Sequence, residues 1–183
     1  MELWKKYKIL ILLIGKFFFT YLILTLLYSW YLNLYLTDLK IADPFTGWVS
    51  DSVGYLMRLV GFDAENHQIE GEAFRRFYLD GFYCSSVNEG CNAISVMIIF
   101  VSFVVAFGKK FMPTFLYILL GLVLLHITNL FRISLLNYIF TYHPQYEKFS
   151  HDILFPLIIY GMVIILWLIW VRYFLINTKD DEI

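Results

Sequence analysis

Apolar residues run in long blocks along this chain, divided by short charged links and one long polar stretch. Four blocks approach the length of a bilayer crossing, about 20 residues for a hydrocarbon core of about 30 Å at about 1.5 Å of rise per residue. They cover about residues 14–36, 91–108, 112–140 and 152–175. None alternates apolar and polar positions as a barrel strand does, and a helix satisfies its own backbone in lipid. The expected fold class is an all-α integral membrane protein with four transmembrane helices, the whole of 1–183 forming one membrane domain. Lys16 interrupts the first apolar run and is expected to snorkel to the interface, with the span following it. The start looks like a signal peptide, but no small-residue cleavage site follows, and Tyr28, Trp30, Tyr31 and Tyr35 suit an interfacial belt instead. The first block therefore reads as an uncleaved anchor.

Residues 37–90 form a loop region between spans one and two. Pro44 to Val60 carries Phe45, Trp48, Val49, Val53, Leu56, Met57 and Val60 at helical spacing. That pattern predicts an amphipathic helix lying in the membrane interface. Beyond Gly61, segments 68–74 and 76–82, with Gly71 and Gly81, predict a short irregular or hairpin element.

Composition narrows the class. Of 183 residues, 60% are hydrophobic and only 16% charged, and mean hydropathy is +0.68. So few charges cannot cover the surface of a soluble domain. Two cysteines do not make a disulfide scaffold, and a net charge of −1 offers no basic field for nucleic acid. The distribution of charge sets orientation. Lys5, Lys6 and Lys8, then Lys109 and Lys110, then Arg172 and Lys179 fall on one side of a four-span chain. Region 37–90 has four basic residues against nine acids. The positive-inside rule puts the Lys-rich links and both termini in the cytoplasm and the acidic region outside; Asp180, Asp181 and Glu182 dilute the last signal but weigh little.

Reactive residues inside apolar spans are functional suspects. Counting rise from the cytoplasmic ends, Cys91 stands about 28 Å above Lys110, Arg132 about 30 Å above Met112 and His151 about 31 Å above Arg172. Three spans thus bring a thiol, a guanidinium and an imidazole to one level near the outer interface. A cysteine opening a helix meets the positive end of its dipole, which favours thiolate. An imidazole serves as base or acid, and a permanent cation stabilises a developing oxyanion or holds a carboxylate. The set suits acyl transfer through a thioester. Taken one by one, each has a plainer role: Cys91 as a small inert residue, Arg132 snorkelling to phosphates, His151 beside Ser150 and Asp152 at a helix start. Asn129 lies one turn before Arg132, either orienting Arg132 or Cys91 or joining helices; His126, a turn earlier, reads as a packing residue. Glu89 either tunes the thiol, pairs with Arg132, or is a solvated loop acid.

Glu89-Gly90-Cys91-Asn92-Ala93 at the outer start of a span is similar to the Glu-x-Cys-Ser/Asn-Gly signature of the exosortase/archaeosortase family. Asn129-Leu130-Phe131-Arg132-Ile133 resembles that family's Asn-x-x-Arg motif, and His151 before the last span fits its third position. The likeness covers about residues 10–175 and is greatest to the short F-type members; Ala93 departs from the family glycine. The resemblance implies a membrane-embedded cysteine protease and transpeptidase of the bacterial inner membrane, with its site on the outer face and no cofactor or metal. It implies Cys91 as nucleophile, Arg132 as transition-state stabiliser and His151 as acid/base, supported by Glu89, Asn92 and Asn129. The implied partners are exported proteins whose C-terminal sorting signal is a short motif, a transmembrane helix and a basic tail, together with an acceptor amine of the cell envelope.

Two other functions compete. Cys84 and Cys91 both lie on the outer, oxidising side, so a thiol–disulfide protein is one alternative, although there is no Cys-x-x-Cys. A non-catalytic membrane adaptor is the other. His67, His126, His143 and His151 are scattered without metal-ligand spacing.

Overall fold

The computed structural model describes residues 2–180; Asp181 and Glu182 lie outside the described residues. The chain is mostly helical. Helix α1 runs from Glu2 to Asn33 and continues into a π-helical turn, Leu34–Leu39. Its path is unbroken through Gly15 and Lys16, where the sequence had suggested a boundary. Helix α2, Pro44–Leu59, follows a short link; α3 is Ile94–Phe107 and α4 is Phe111–Tyr142. A 3-10 turn at Pro144–Tyr146, a single turn α5 at Glu147–Phe149 and a π turn at Ser150–Leu154 lead into α6, Phe155–Asp180. Among the described residues, three helical stretches are long and apolar enough to cross a membrane: Tyr7–Thr37, Phe111–Tyr142 and Pro144–Tyr173. The expected span at 91–108 is shorter as a helix. Asn92 and Ala93 break it from Cys91, and α3 has 14 residues, about 21 Å of rise.

Residues 44–59 form a helix, as their spacing predicts. Asp43 caps α2 by accepting from the backbone N–H groups of Phe45 and Thr46 at 3.1 Å each, with Pro44 at the first helical position. The helix buries Val49, Val53 and Met57 together with Thr46, Gly47, Ser50 and Gly54, and exposes Trp48 and Leu56. The small residues have a reason. A Cβ on Gly47 would stand 3.1 Å from Arg75, whose side chain lies across the helix.

Between α2 and α3 the chain makes a three-stranded antiparallel sheet, β1 (Ala64–Gln68), β2 (Arg75–Leu79) and β3 (Phe82–Val87), in that order. The expected hairpin at 68–74 and 76–82 is thereby corrected: its first arm is mostly the β1–β2 turn, and a third strand joins. Gly81 at φ +79 makes the β2–β3 turn. The sheet is fastened to the C-terminal end of α4 by Ser85 Oγ donating to Asn137 Oδ1 at 2.6 Å, by Cys84 with Thr141, and by Tyr142 donating to Asp80.

Two cores result. One joins α3, α4 and α6 through Val96, Phe100, Val104, Leu125, Ile159, Val163 and Trp170. Gly121 makes this packing possible, because any Cβ there would overlap the Phe100 ring. The other joins α2, the sheet and α4 through Val49, Val53, Phe77, Leu79, Val87 and Ile133. Cys91 packs against the second core and Ala93 belongs to the first, so the turn that carries the thiol is the joint between them.

Candidate active site at the Cys91 turn

The turn is built by asparagines. Asn88 Oδ1 accepts from Gly90 N–H at 3.0 Å and Asn88 carbonyl from Cys91 N–H at 2.9 Å, forming one 3-10 turn over Glu89–Cys91. Ala93 then takes a left-handed conformation, φ +64. An L-residue loses about 1–2 kcal/mol by this, which a glycine would not. Asn92, fully buried, holds the turn against that strain. Its Oδ1 accepts from Ile94 N–H at 2.9 Å, capping α3, and its Nδ2 donates to Tyr28 Oη and Thr46 Oγ1, each at 2.9 Å. Thr46 in turn donates to the buried Asp43, which also accepts from Tyr31 at 3.2 Å. The residue beside the thiol is thus tied to α1 and α2 at once.

Arg132 and Asn129 approach from α4. Asn129 Nδ2 donates to the Cys91 carbonyl at 2.9 Å and Arg132 Nη2 to the same oxygen at 3.5 Å. Of the two roles open to Asn129, it takes the one that holds Cys91. The Arg132 guanidinium lies 3.3 Å above the Phe155 ring, a cation–π contact. Arg132 is 2% exposed, its Nε has no hydrogen-bond partner, and among the described residues it has no carboxylate within ion-pair distance. Removing a charge from water without a counter-ion is expensive. A buried guanidinium with unspent donors is a site for negative charge that arrives from elsewhere.

It faces a cavity of about 310 Å³ lined by Glu89, Gly90, Ala93, Ser95, Arg132, Phe155, Pro156, Ile159 and Tyr160, between the α3 and α6 starts. The walls are mostly apolar, and Glu89 and Arg132 are its charged groups. The predicted helix-dipole activation of Cys91 is corrected by the position of α3, which starts three residues later.

His151 reaches the same level by a different route. It sits in the π turn, a distortion that recurs at functional sites. Its Nδ1 meets Asp152 Oδ1 at 3.1 Å, and its ring stacks on Phe155 at 5.9 Å between centroids. Phe155 is therefore the shared neighbour of His151 and Arg132. The imidazole is exposed in a separate hollow with Glu147, Lys148 and Asp152 around it; it does not line the cavity that Arg132 faces and makes no bond to Cys91. Phe155 was missed in the sequence because one aromatic among many in an apolar block carries no signal of its own. The Asp43–Thr46 pair had one signal, an N-cap before Pro44.

Cys84 is elsewhere. It contacts Thr141 Oγ1 at 3.0 Å, whereas Cys91 is held at Asn129. The two α4 anchors are separated by about 18 Å of helix axis, and a disulfide tolerates only about 7 Å between Cα atoms. Both thiols are free. His126 is a packing residue, its ring parallel to Trp48 at 4.4 Å.

Comparison of the chain with protein-family models, with curated proteins and with solved structures finds no match in any of the three.

Proposed function

We propose that this protein is a membrane-embedded cysteine peptidase or transpeptidase of the exosortase kind, acting on the C-terminal sorting signals of exported proteins. The observation that carries the reading is the buried, unpaired Arg132 guanidinium beside the Cys91 turn, open to a cavity. Cys91 attacks the scissile carbonyl. The oxyanion that forms meets Arg132, whose charge in a dry site is worth far more than in water. His151 moves in from its separate hollow, takes the Cys91 thiol proton and delivers it to the leaving amine as the C–N bond breaks, and the acyl group remains on sulfur as a thioester. Water or an acceptor amine then releases it.

Four crossings, with α3 as the short one, both termini in the cytoplasm and the sheet outside, are part of the same proposal. The substrate's own helix docks laterally between α3 and α6, where the cavity lies, so that its scissile bond sits at the outer surface. The Lys109–Lys110 link and the acidic loop region support that orientation. The test compares the C-termini of exported proteins in cells carrying the native chain and Cys91→Ala. Retained C-terminal helices in the variant are expected; an identical set of C-termini in both overturns the assignment.

A further inference from the structure

Asp43 is fully buried, and among the described residues no cation pairs with it. Its two oxygens serve different ends. Oδ1 accepts from the backbone N–H groups of Phe45 and Thr46 and from the Tyr31 hydroxyl. That oxygen alone makes the helix cap, and a cap needs no more. Oδ2 is left to the Thr46 hydroxyl. The direction of that bond is fixed, because a carboxylate accepts and cannot donate. Thr46 therefore spends its single hydroxyl proton on Asp43. Toward Asn92 it presents lone pairs, and it receives Asn92 Nδ2 at 2.9 Å. The second hydrogen of Nδ2 goes to Tyr28 Oη at 2.9 Å. With its nitrogen held on that side, the amide turns Oδ1 to Ile94 N–H, the bond that caps α3. Asp43, Thr46 and Asn92 are each at 0% exposure, so no water stands ready to repair a mismatch in the row.

From this row of bonds we infer that Asp43, acting through Thr46, is a positioning residue for the candidate nucleophile: its carboxylate sets which way the Asn92 amide faces, and Asn92 holds the turn that carries Cys91. The inference rests on the acyl-transfer reading above and adds to it two residues from the start of α2. The row carries geometry and moves no proton. Its polarity comes from the charge at one end. With an amide in place of the Asp43 carboxylate, the cap oxygen survives but the second oxygen becomes a nitrogen that donates to Thr46. The Thr46 proton then turns toward Asn92, and two donors meet in a dry space. That clash is relieved when the Asn92 side chain withdraws, which frees Ile94 N–H and removes the restraint on the left-handed Ala93 together. The hydroxyl of Thr46 is the part the row requires; its methyl group is not.

Backbone hydrogen exchange of the full chain in lipid nanodiscs, resolved over residues 44–48 and 90–95, tests this. Asp43→Asn keeps a cap oxygen, since Asn and Asp cap about equally well, and replaces Oδ2 by a donor. It is expected to speed exchange over 90–95 about tenfold, the scale of one buried hydrogen bond to a charged group, and to leave 44–48 at the native rate. Thr46→Val is expected to match it over 90–95 and Thr46→Ser to stay native. The double variant Asp43→Asn, Thr46→Val is expected to exchange no faster than either single variant, because both break one row. Native exchange over 90–95 in Asp43→Asn, or a rise confined to 44–48, reduces Asp43 to a helix cap and overturns the inference. A rise that extends through α6, or single effects that multiply in the double variant, overturns it as well. Where Cys91→Ala abolishes processing in cells, Asp43→Asn and Thr46→Val are expected to lower it about tenfold at equal amounts of membrane protein, with Thr46→Ser native; native processing in the first two removes the positioning role. Failure of the reading beneath is separable. If Cys91→Ala leaves the C-termini of exported proteins as in the native strain while exchange behaves as expected, the row stands and the acyl-transfer reading falls.

Discussion

Arg132 combines two properties that residues rarely share: it is buried and it lacks a counter-ion. Its planar guanidinium stacks on Phe155 while one nitrogen reaches the Cys91 carbonyl. Lysine has neither the plane nor the fork, so Arg132→Lys is expected to lower substrate processing about 10²-fold or more, in the range seen for loss of an oxyanion donor. Size-exclusion behaviour equal to the native protein with processing unchanged rules this role out. The pairing of Cys91 with Arg132 was legible in the sequence because helical rise is fixed, and depth follows from counting residues. Rotation about the helix axis does not follow from counting. Phe155, Tyr28 and Thr46 owe their roles to rotation, and those roles became visible with the fold.

Elements here are held by small, specific devices more than by broad apolar stripes. Gly121 is the clearest. The Phe100 ring, fully buried, occupies the place where a side chain at position 121 would begin. Gly121→Val is expected to destabilise the α3–α4 contact by about 1–3 kcal/mol, the usual cost of overpacking, lowering the midpoint of thermal aggregation in detergent. A midpoint equal to that of the native protein removes Gly121 from this role. Asn92 is the second device, capping α3 while bonding Tyr28 and Thr46. Asn92→Ala leaves the left-handed Ala93 without its restraint and Thr46 without a donor. The helices were readable because each apolar block is far longer than a strand. The strands were placed wrongly for a physical reason. β1 is Ala-Glu-Asn-His-Gln, an almost wholly polar sequence that only Ala64 commits to the core, and a bulge at Cys84, opposite Phe77 and Tyr78, breaks the alternation of β3. The start of α3 was misplaced because Cys91, Asn92 and Ala93 look like the head of an apolar block, while the asparagine amide competes for the backbone and makes a cap instead.

At the scale of the molecule, the proposed fourth crossing rests on how the ends of α4 are tied. Its 32 residues reach about 48 Å, longer than a hydrocarbon core of about 30 Å. Its C-terminal end is bonded to the sheet through Asn137, Thr141 and Tyr142, and its N-terminal end follows Lys110 directly. If α4 crosses, the sheet and the Lys109–Lys110 link stand on opposite sides. The chain from Val87 to Lys109 joins those two sides, so it crosses as well, even though only Ile94–Phe107 of it is helix. The 3-10 turn and the Asn92–Ala93 break supply the remaining length, and this explains why a thiol-bearing turn lies within the apolar block. The α1 end that bears Tyr28 and Tyr31 is bonded to Asn92 and Asp43, at the sheet side. The α6 start at Phe155 lies at the same level, while Leu166 further along meets Tyr117 in the first turns of α4. Helix α1 therefore ends at the sheet side, and α6 starts there and runs toward the Lys110 end of α4. Single reporters decide the matter: Glu70→Cys in the β1–β2 turn and Lys110→Cys in the α3–α4 link, each in a Cys84→Ala, Cys91→Ala background. A membrane-impermeant maleimide is expected to label Glu70→Cys in intact spheroplasts and Lys110→Cys only after permeabilisation. Equal labelling of both without permeabilisation places α3 on the surface and takes the cavity, Cys91 and Arg132 out of the bilayer plane in which lateral docking of a substrate helix makes sense.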